Sequence, residues 1–274
     1  MNRLQRCALA LFTALFGGWG TPVCAQSLDG LDALESVQGI LSNAQTSPLP
    51  GGWTIGGVGY SGSSTYQLGD TSSTLIPGGI YMGTDVLFLG DRVFYTFARE
   101  GPLSFFARGR VRLGNLTPED KPQWAGLSER QAELEGGLGA LLVSPVGLWT
   151  ARVSSDISGR SNGSEALLNW SAPIIDDRWL VMGGMGLTWR SGNLANYYYG
   201  GVSPAEATAT RPAYDVGNTW SLTPSLVTTY RINPQWLLGG VLSYEAFSDA
   251  VRDSPLVQKA GRYDALVGVG YVWK

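Results

Sequence analysis

The 274-residue chain carries 19 Lys and Arg against 22 Asp and Glu, a net charge of −3, with no histidine, two cysteines and 38 glycines. The lack of histidine excludes Ser-His-Asp and Cys-His catalysis and His-ligated metal centres, and the mild acidity leaves no electrostatic footprint for nucleic acid. Outside the N-terminus no run of about 18 apolar residues occurs, which excludes a bundle of membrane helices. Membrane strands stay open, because they hide their apolarity by alternation.

Residues 1–25 have the form of a secretory signal. Arg3 and Arg6 supply the basic start, Cys7 to Trp19 a short apolar stretch, and Val23-Cys24-Ala25 a small-residue cleavage site. The apolar stretch is short for a membrane anchor, and Thr21-Pro22-Val23 makes a poor lipoprotein box ahead of Cys24. Both cysteines lie in this leader, so the mature chain is expected to have neither disulfide nor thiolate chemistry. Residues 26–50 form a separate periplasmic segment. Leu28, Leu31, Leu34, Val37 and Leu41 recur at helical steps, and Ser47-Pro48-Leu49-Pro50 breaks the pattern. The favoured expectation is a mobile periplasmic tail; the sharper one is a helix that plugs a lumen or touches a partner.

From Gly51 the chain is strand and turn. Trp53 to Tyr60 is a first strand and Ser61 to Gly69 a loop. Thr71 to Ile76 suggests a short return, with a turn at Pro77-Gly78-Gly79. Ile80 to Leu89 goes out again, Gly90-Asp91 turns, and Arg92 to Ala98 comes back. In Leu103 to Leu113, Arg108, Arg110 and Arg112 share one face. In Glu129 to Leu142, Glu129, Glu133 and Glu135 share one face. The loop between makes the two strands antiparallel neighbours, so a column of arginines stands opposite a column of glutamates, an arrangement stable only as a pair. The columns suit a salt-bridge ladder filling a narrow lumen; a charged constriction or substrate site is the functional alternative.

Later strands repeat one pattern. Trp179 and Trp189, Trp220 and Tyr230, and Tyr263 and Trp273 are same-parity aromatics ten residues apart. Ten residues of strand rise roughly 33 Å; tilted by about 40° they span about 25 Å, the apolar band of an outer-membrane barrel with an aromatic girdle at each water boundary. Trp236 and Tyr271 extend that girdle. Pro224 within its strand suggests a bulge or kink. Short turns at 144–147, 173–177 and 232–235 alternate with long connections at 114–128, 191–214 and 248–261, as periplasmic turns and outer loops do. The fold expected over residues 51–274 is therefore an all-β, antiparallel up-and-down transmembrane β-barrel. It has twelve strands if residues 71–89 hold two, and ten otherwise.

Tyr197-Tyr198-Tyr199-Gly200-Gly201-Val202-Ser203-Pro204-Ala205-Glu206-Ala207 resembles the aromatic-Gly-Val-Ser-Pro signature of the MltA-interacting protein/OmpV family of Gram-negative outer-membrane proteins. Pro212 to Gly217, Trp236 after Asn233-Pro234, Asp253-Ser254-Pro255-Leu256-Val257 and the closing Gly268 to Trp273 continue the likeness, which covers residues 178–273. The second glycine at 200–201 and the ending Trp273-Lys274 depart from it. The resemblance implies an outer-membrane barrel. For one branch it implies a scaffold holding a murein-degrading lytic transglycosylase near a bifunctional penicillin-binding protein.

No cofactor, metal or catalytic residue is expected. Asp253-Ser254 and the Glu133/Glu135 pair are the only weak candidates for an enzyme, and carboxylates beside arginines suit ion pairs better than acid catalysis. The expected function is a non-enzymatic scaffold or interaction protein for murein enzymes, in contact with outer-membrane lipid. The alternative is a small channel or ligand-binding barrel with a charged lumen.

Overall fold

In the computed structural model of the protein, the residues described are Asp32, 51–175 and 178–273. The expected leader therefore lies outside the described residues, as does all of 26–50 except Asp32. Twelve antiparallel strands form one closed barrel: β1 (Gly52–Gly62), β2 (Ser72–Met82), β3 (Val86–Leu89), β4 (Arg92–Glu100), β5 (Leu103–Arg112), β6 (Glu133–Ser144), β7 (Gly147–Asp156), β8 (Ser164–Ile175), β9 (Trp179–Arg190), β10 (Thr219–Arg231), β11 (Trp236–Phe247) and β12 (Gly261–Trp273). Each strand pairs with its neighbours in sequence. β12 closes the wall on β1 along the whole strand, from Trp53 opposite Trp273 to Gly62 opposite Asp264. Closure gives the wall strands, apart from the upper part of β2, ladder partners on both sides, the condition for strands to cross a membrane.

Alternation sorts the side chains. Outward positions are large, apolar and exposed, as at Ile55, Leu138, Val153, Leu226 and Val267. The aromatics form two rows on that outer face. In the lower row Trp53 and Trp273 are register partners, Trp179 lies tilted against Tyr230 at 4.5 Å, and Trp236 meets Tyr271 at 5.4 Å. In the upper row Trp189 stands opposite Trp220, and Tyr244 opposite Tyr263. The short turns at 83–85, 101–102, 145–146 and 232–235 share the lower rim with the start of β1 and the end of β12, while the turn at 90–91 points the other way. The connections at 63–71, 113–132, 157–163, 191–218 and 248–260 share the upper rim.

Residues 71–89 do hold two strands, but the break is not at Pro77-Gly78-Gly79. β2 runs straight through these residues, with Pro77 opposite Gly57 of β1, and the chain turns only at 83–85. The reason lies in β3. It is four residues long and pairs with β2 only from Ile80 to Met82. Among the described residues, the upper part of β2 therefore has a strand neighbour on one side only, and proline is tolerated where no ladder partner needs its missing N–H. Pro224 likewise leaves β10 unbulged. The β10–β11 ladder lapses at Thr223 and Pro224 and resumes in the same register. The one bulge in the β4–β5 ladder falls between Thr96 and Ala98 instead.

The interior has three storeys. An apolar cluster of Met82, Leu87, Leu89, Phe94, Phe106 and Leu141 fills the lower lumen beside β2–β6, with Phe94 edge-on to Phe106 at 5.7 Å. A belt of charged side chains lies above it. A second apolar cluster, built from the long loops, closes the upper mouth.

Candidate functional site

The belt begins where the two charged columns were expected. In register, Arg110 stands opposite Glu135 and Arg112 opposite Glu133. Arg112 Nε lies 2.5 Å from Glu135 and 3.5 Å from Glu133, and Arg108 lies 3.3 Å from Glu135. Glu129 is not on the inner wall. It is exposed in the loop, where it accepts a hydrogen bond from Gln131. β6 starts only at Glu133 because the preceding backbone is held by the loops: Arg130 bridges to Leu116, the Gln131 N–H donates to the Tyr197 hydroxyl, and the Tyr198 hydroxyl donates to the Gln131 carbonyl at 2.6 Å.

The belt also extends well beyond those two strands. Glu165 on β8 accepts from Arg112 at 3.0 Å, from Arg152 of β7 at 2.9 Å and from Arg190 of β9 at 3.0 Å. Glu245 on β11 joins Arg190 at 2.7 Å and Arg262 of β12 at 2.9 Å. Tyr60 of β1 donates to Asp264 at 2.7 Å. Arg92 of β4 stands opposite Arg110 in register, two like charges, with Asp91 of the turn 2.8 Å from one and 3.4 Å from the other. Glu165 on β8, Arg190 on β9 and Glu245 on β11 are each the lone charge of their strand, at inward parity. Only closure of the wall gathers them, so parity was the available signal and the strand-by-strand pattern hid the network.

Asp32 belongs to this belt although it precedes β1 in the chain. Its carboxylate lies 2.5 Å from Arg92, 2.9 Å from Arg152, 3.8 Å from Arg108 and 3.9 Å from Arg110. For this residue a free periplasmic tail is therefore the wrong picture: it is inside the barrel, because buried guanidiniums attract a carboxylate that desolvation alone would repel. Beside it a cavity of about 20 Å³, room for roughly one water, is lined by Asn169, Thr188, Ser225 and Ser243 among others.

The family-like loop motifs build the cap over this belt. Helix α1 (Gly192–Tyr198) ends on the three consecutive tyrosines, with Tyr199 as its C-cap. Tyr199 lies 4.2 Å from the Arg190 guanidinium and 5.8 Å from that of Arg262; Tyr198 covers Arg112 at 5.6 Å and Tyr197 covers Arg130 at 5.5 Å. Such contacts contribute about 1 kcal/mol each. Val202 and Tyr214 exchange backbone hydrogen bonds at 2.9 Å. Ser254, next to helix α2 (Asp249–Arg252), donates to the Gly200 carbonyl at 2.6 Å and accepts the Leu256 N–H. It is a latch between the two loops, which accounts for its place in the motif. Glu133 and Glu135 flank Arg112.

The doubled glycine also has a structural reason. Gly200 has φ +107°, and a Cβ there would lie 2.7 Å from Val257 Cγ2. Gly200→Ala is expected to weaken the cap by about 1–3 kcal/mol while the barrel stays intact. Limited proteolysis of the outer loops should be faster with the heat-resistant gel mobility of the barrel unchanged; equal proteolysis rates would refute the account.

Glu206 ties two loops together. It accepts the Ser203 N–H at 2.9 Å and the Ser128 N–H at 2.7 Å and pairs with Arg130 at 3.3 Å. Burial pushes its carboxyl up, but these donors and the Arg130 charge outweigh burial and hold it down at about 2, below the ordinary 4.5. A depressed folded-state value stabilises the cap above the unfolded value, and that stability is lost as pH falls from about 4.5 toward about 2. The protection of the Ser128 and Ser203 amides, measured relative to the intrinsic exchange rate at each pH, should fall over that window in the native protein. In Glu206→Gln that protection should already be low and should change little with pH.

The model of the family "MltA-interacting protein MipA" matches residues 55–273, nearly the whole barrel. The chain is 27% identical over 152 residues to the MltA-interacting protein of Escherichia coli K12, an alignment covering 56% of this chain and 60% of that protein. It is 29% identical over 143 residues to outer membrane protein Omp26La of Vibrio anguillarum, covering 52% and 54%. The chain thus spans little more than half the length of these relatives. Among solved structures, the NanC porin aligns with TM-score 0.43 at 11% identity, over 80% of this chain and 100% of that one. The translocator domain of the autotransporter NalP from Neisseria meningitidis aligns with TM-score 0.40 at 12% identity, over 93% and 100%. The chain belongs to the MltA-interacting protein (MipA) family and is a β-barrel of the Gram-negative outer membrane.

Proposed function

We propose that the protein is a non-catalytic barrel that anchors a murein-processing enzyme, a lytic transglycosylase, at the periplasmic face of the outer membrane, in reach of a penicillin-binding synthase. The observation that carries this reading is the filled interior. Apolar loops cover the outer mouth and buried ion pairs cross the lumen, which suits an anchor better than an open pore. Membership of a family whose curated relative is named for an interaction with MltA supports the choice of partner. Detergent-solubilised protein, incubated with periplasmic extract, is expected to retain a lytic transglycosylase; recovery of no murein enzyme counts against the anchor.

The second reading, a small channel or ligand-binding barrel, is favoured by the charged belt itself. Planar-bilayer conductance separates the two. A silent bilayer supports the anchor, and solute-dependent conductance supports the channel.

A further inference from the structure

The outer wall is not evenly padded. In register, Ala166 of β8 stands between Val153 of β7 and Trp189 of β9, and one line lower Ala151 of β7 stands between Ala140 of β6 and Leu168 of β8. Ala151 and Ala166 floor a hollow of about 690 Å³ on the outer face, walled by Leu138, Leu187, Trp189 and Trp220. Arg152 and Leu167, whose side chains turn inward, complete its border. The volume lies in the range of small-ligand sites, roughly 300–1,000 Å³. Trp189 and Trp220 belong to the upper aromatic row, so the hollow opens into the outer half of the apolar band, where hydrocarbon is the medium. The surface directly above is polar. On the next line up Ser155 of β7 faces Ser164 of β8, and their hydroxyls share a hydrogen bond at 2.9 Å. The 157–163 connection joins the same two strands and is folded round the Asp156 carboxylate, which accepts the N–H of Ser158 at 2.7 Å, of Gly159 at 3.1 Å and of Asn162 at 2.9 Å. That carboxylate is thus satisfied within its own loop. Arg160, in the same loop, is exposed and has no ion-pair partner among the described residues.

We propose that this hollow, with Ser155, Ser164 and Arg160 above it, binds a lipid A-class molecule, the phosphorylated, multiply acylated glycolipid of the outer leaflet. One acyl chain lies over Ala151 and Ala166 between the leucine and tryptophan walls. The phosphate reaches Arg160, whose planar fork suits phosphate oxygens, and sugar hydroxyls meet the Ser155–Ser164 pair. Charge favours this occupant over two others. A zwitterionic phospholipid brings its own cation toward Arg160, which an anionic glycolipid does not. A second copy, seated here by a twofold axis along the membrane normal, would bring two Arg160 side chains face to face, a like-charge contact. The hollow opens to the membrane, so the closed mouth of the barrel does not bar entry. The site is independent of the anchoring role proposed above.

The test weighs the lipid that the full-length protein, purified from outer membranes in mild detergent, retains in native mass spectrometry. Delipidated protein is then titrated with lipid A, with lipid A stripped of its phosphates, and with phosphatidylethanolamine. Wild type is expected to retain one lipid A per barrel and to prefer it to phosphatidylethanolamine by about tenfold, the size of one charge-assisted hydrogen bond. Ala151→Leu with Ala166→Leu fills the hollow and should lose the adduct. Ala265→Leu, on β12 and away from the hollow, should keep it. Arg160→Gln should weaken lipid A about tenfold and leave the phosphate-free form unchanged. Heat-resistant gel mobility shows that each variant is folded; if the double variant does not fold, the comparison of Arg160→Gln between the two lipid A forms decides. Equal binding of lipid A and phosphatidylethanolamine, or retention of lipid A by the filled variant, reduces the hollow to ordinary lipid contact and overturns the proposal. So does a dimer that dissociates when the hollow is filled, which would make a second copy the occupant.

Discussion

Glu165→Ala is expected to destabilise the folded barrel by about 3–5 kcal/mol, the cost of removing one partner from a buried ion pair. The magnitude follows from who loses what. Arg112 keeps Glu135 at 2.5 Å and Arg190 keeps Glu245 at 2.7 Å, whereas Arg152 loses one of the two carboxylates that lie 2.9 Å from it and keeps Asp32. Its guanidinium is fully buried and cannot recover water. An exposed carboxylate gives the control: Glu129→Ala should fall within about 0.5 kcal/mol of wild type. Replacing both partners, Glu165→Leu with Arg152→Met, should recover part of the loss, because well-packed apolar pairs often match a buried ion pair. Urea titration of refolded protein, read by gel mobility and tryptophan fluorescence, measures all of these. A Glu165→Ala loss below about 1 kcal/mol would mean that water reaches the belt and that the lumen is wet.

How much of this could be seen before the structure depends on period and distance. A period-two pattern with rings ten residues apart is enough to specify a barrel wall and its two rims, because each strand repeats the same constraint. The Arg108–Arg112 and Glu133–Glu135 columns were visible for the same reason: two adjacent strands carry complementary runs. Parity alone also turns Arg152 and Glu165 inward, but the network was not visible: Arg92, Arg152, Glu165, Arg190, Glu245 and Arg262 stand on separate strands, and what joins them is barrel curvature, which no local pattern records. Pro77-Gly78-Gly79 misled because turn chemistry assumes that both backbone edges need partners, and beside the short β3 one edge of β2 has none among the described strands. Asp32 was hidden differently. It sits among regularly spaced leucines as the polar residue of an amphipathic pattern, and only the arginines it meets reveal a role for it.

Val267→Arg is expected to cost about 2–4 kcal/mol in lipid vesicles, whereas Ile232→Arg should cost about 0–1 kcal/mol. Both side chains are exposed, Val267 at 63% and Ile232 at 46%, so exposure alone predicts no difference. Position does. Val267 lies on the outer face of β12 midway between Tyr263 of the upper row and Tyr271 of the lower, while Ile232 lies in the lower-rim turn after β10. A guanidinium at the middle of the apolar band must thin the bilayer or carry water with it; one at the rim reaches the headgroups. Leu226, between Trp220 and Tyr230 on β10, should follow Val267. In a barrel surrounded by water all three substitutions would fall within about 0.5 kcal/mol. The gradient from rim to middle is therefore the signature of the lipid belt, and urea-dependent folding into vesicles of defined thickness reads it directly. Equal costs at Val267 and Ile232 would remove the girdle role from the aromatic rows, and thicker bilayers should widen the stretch of β12 over which arginine is costly.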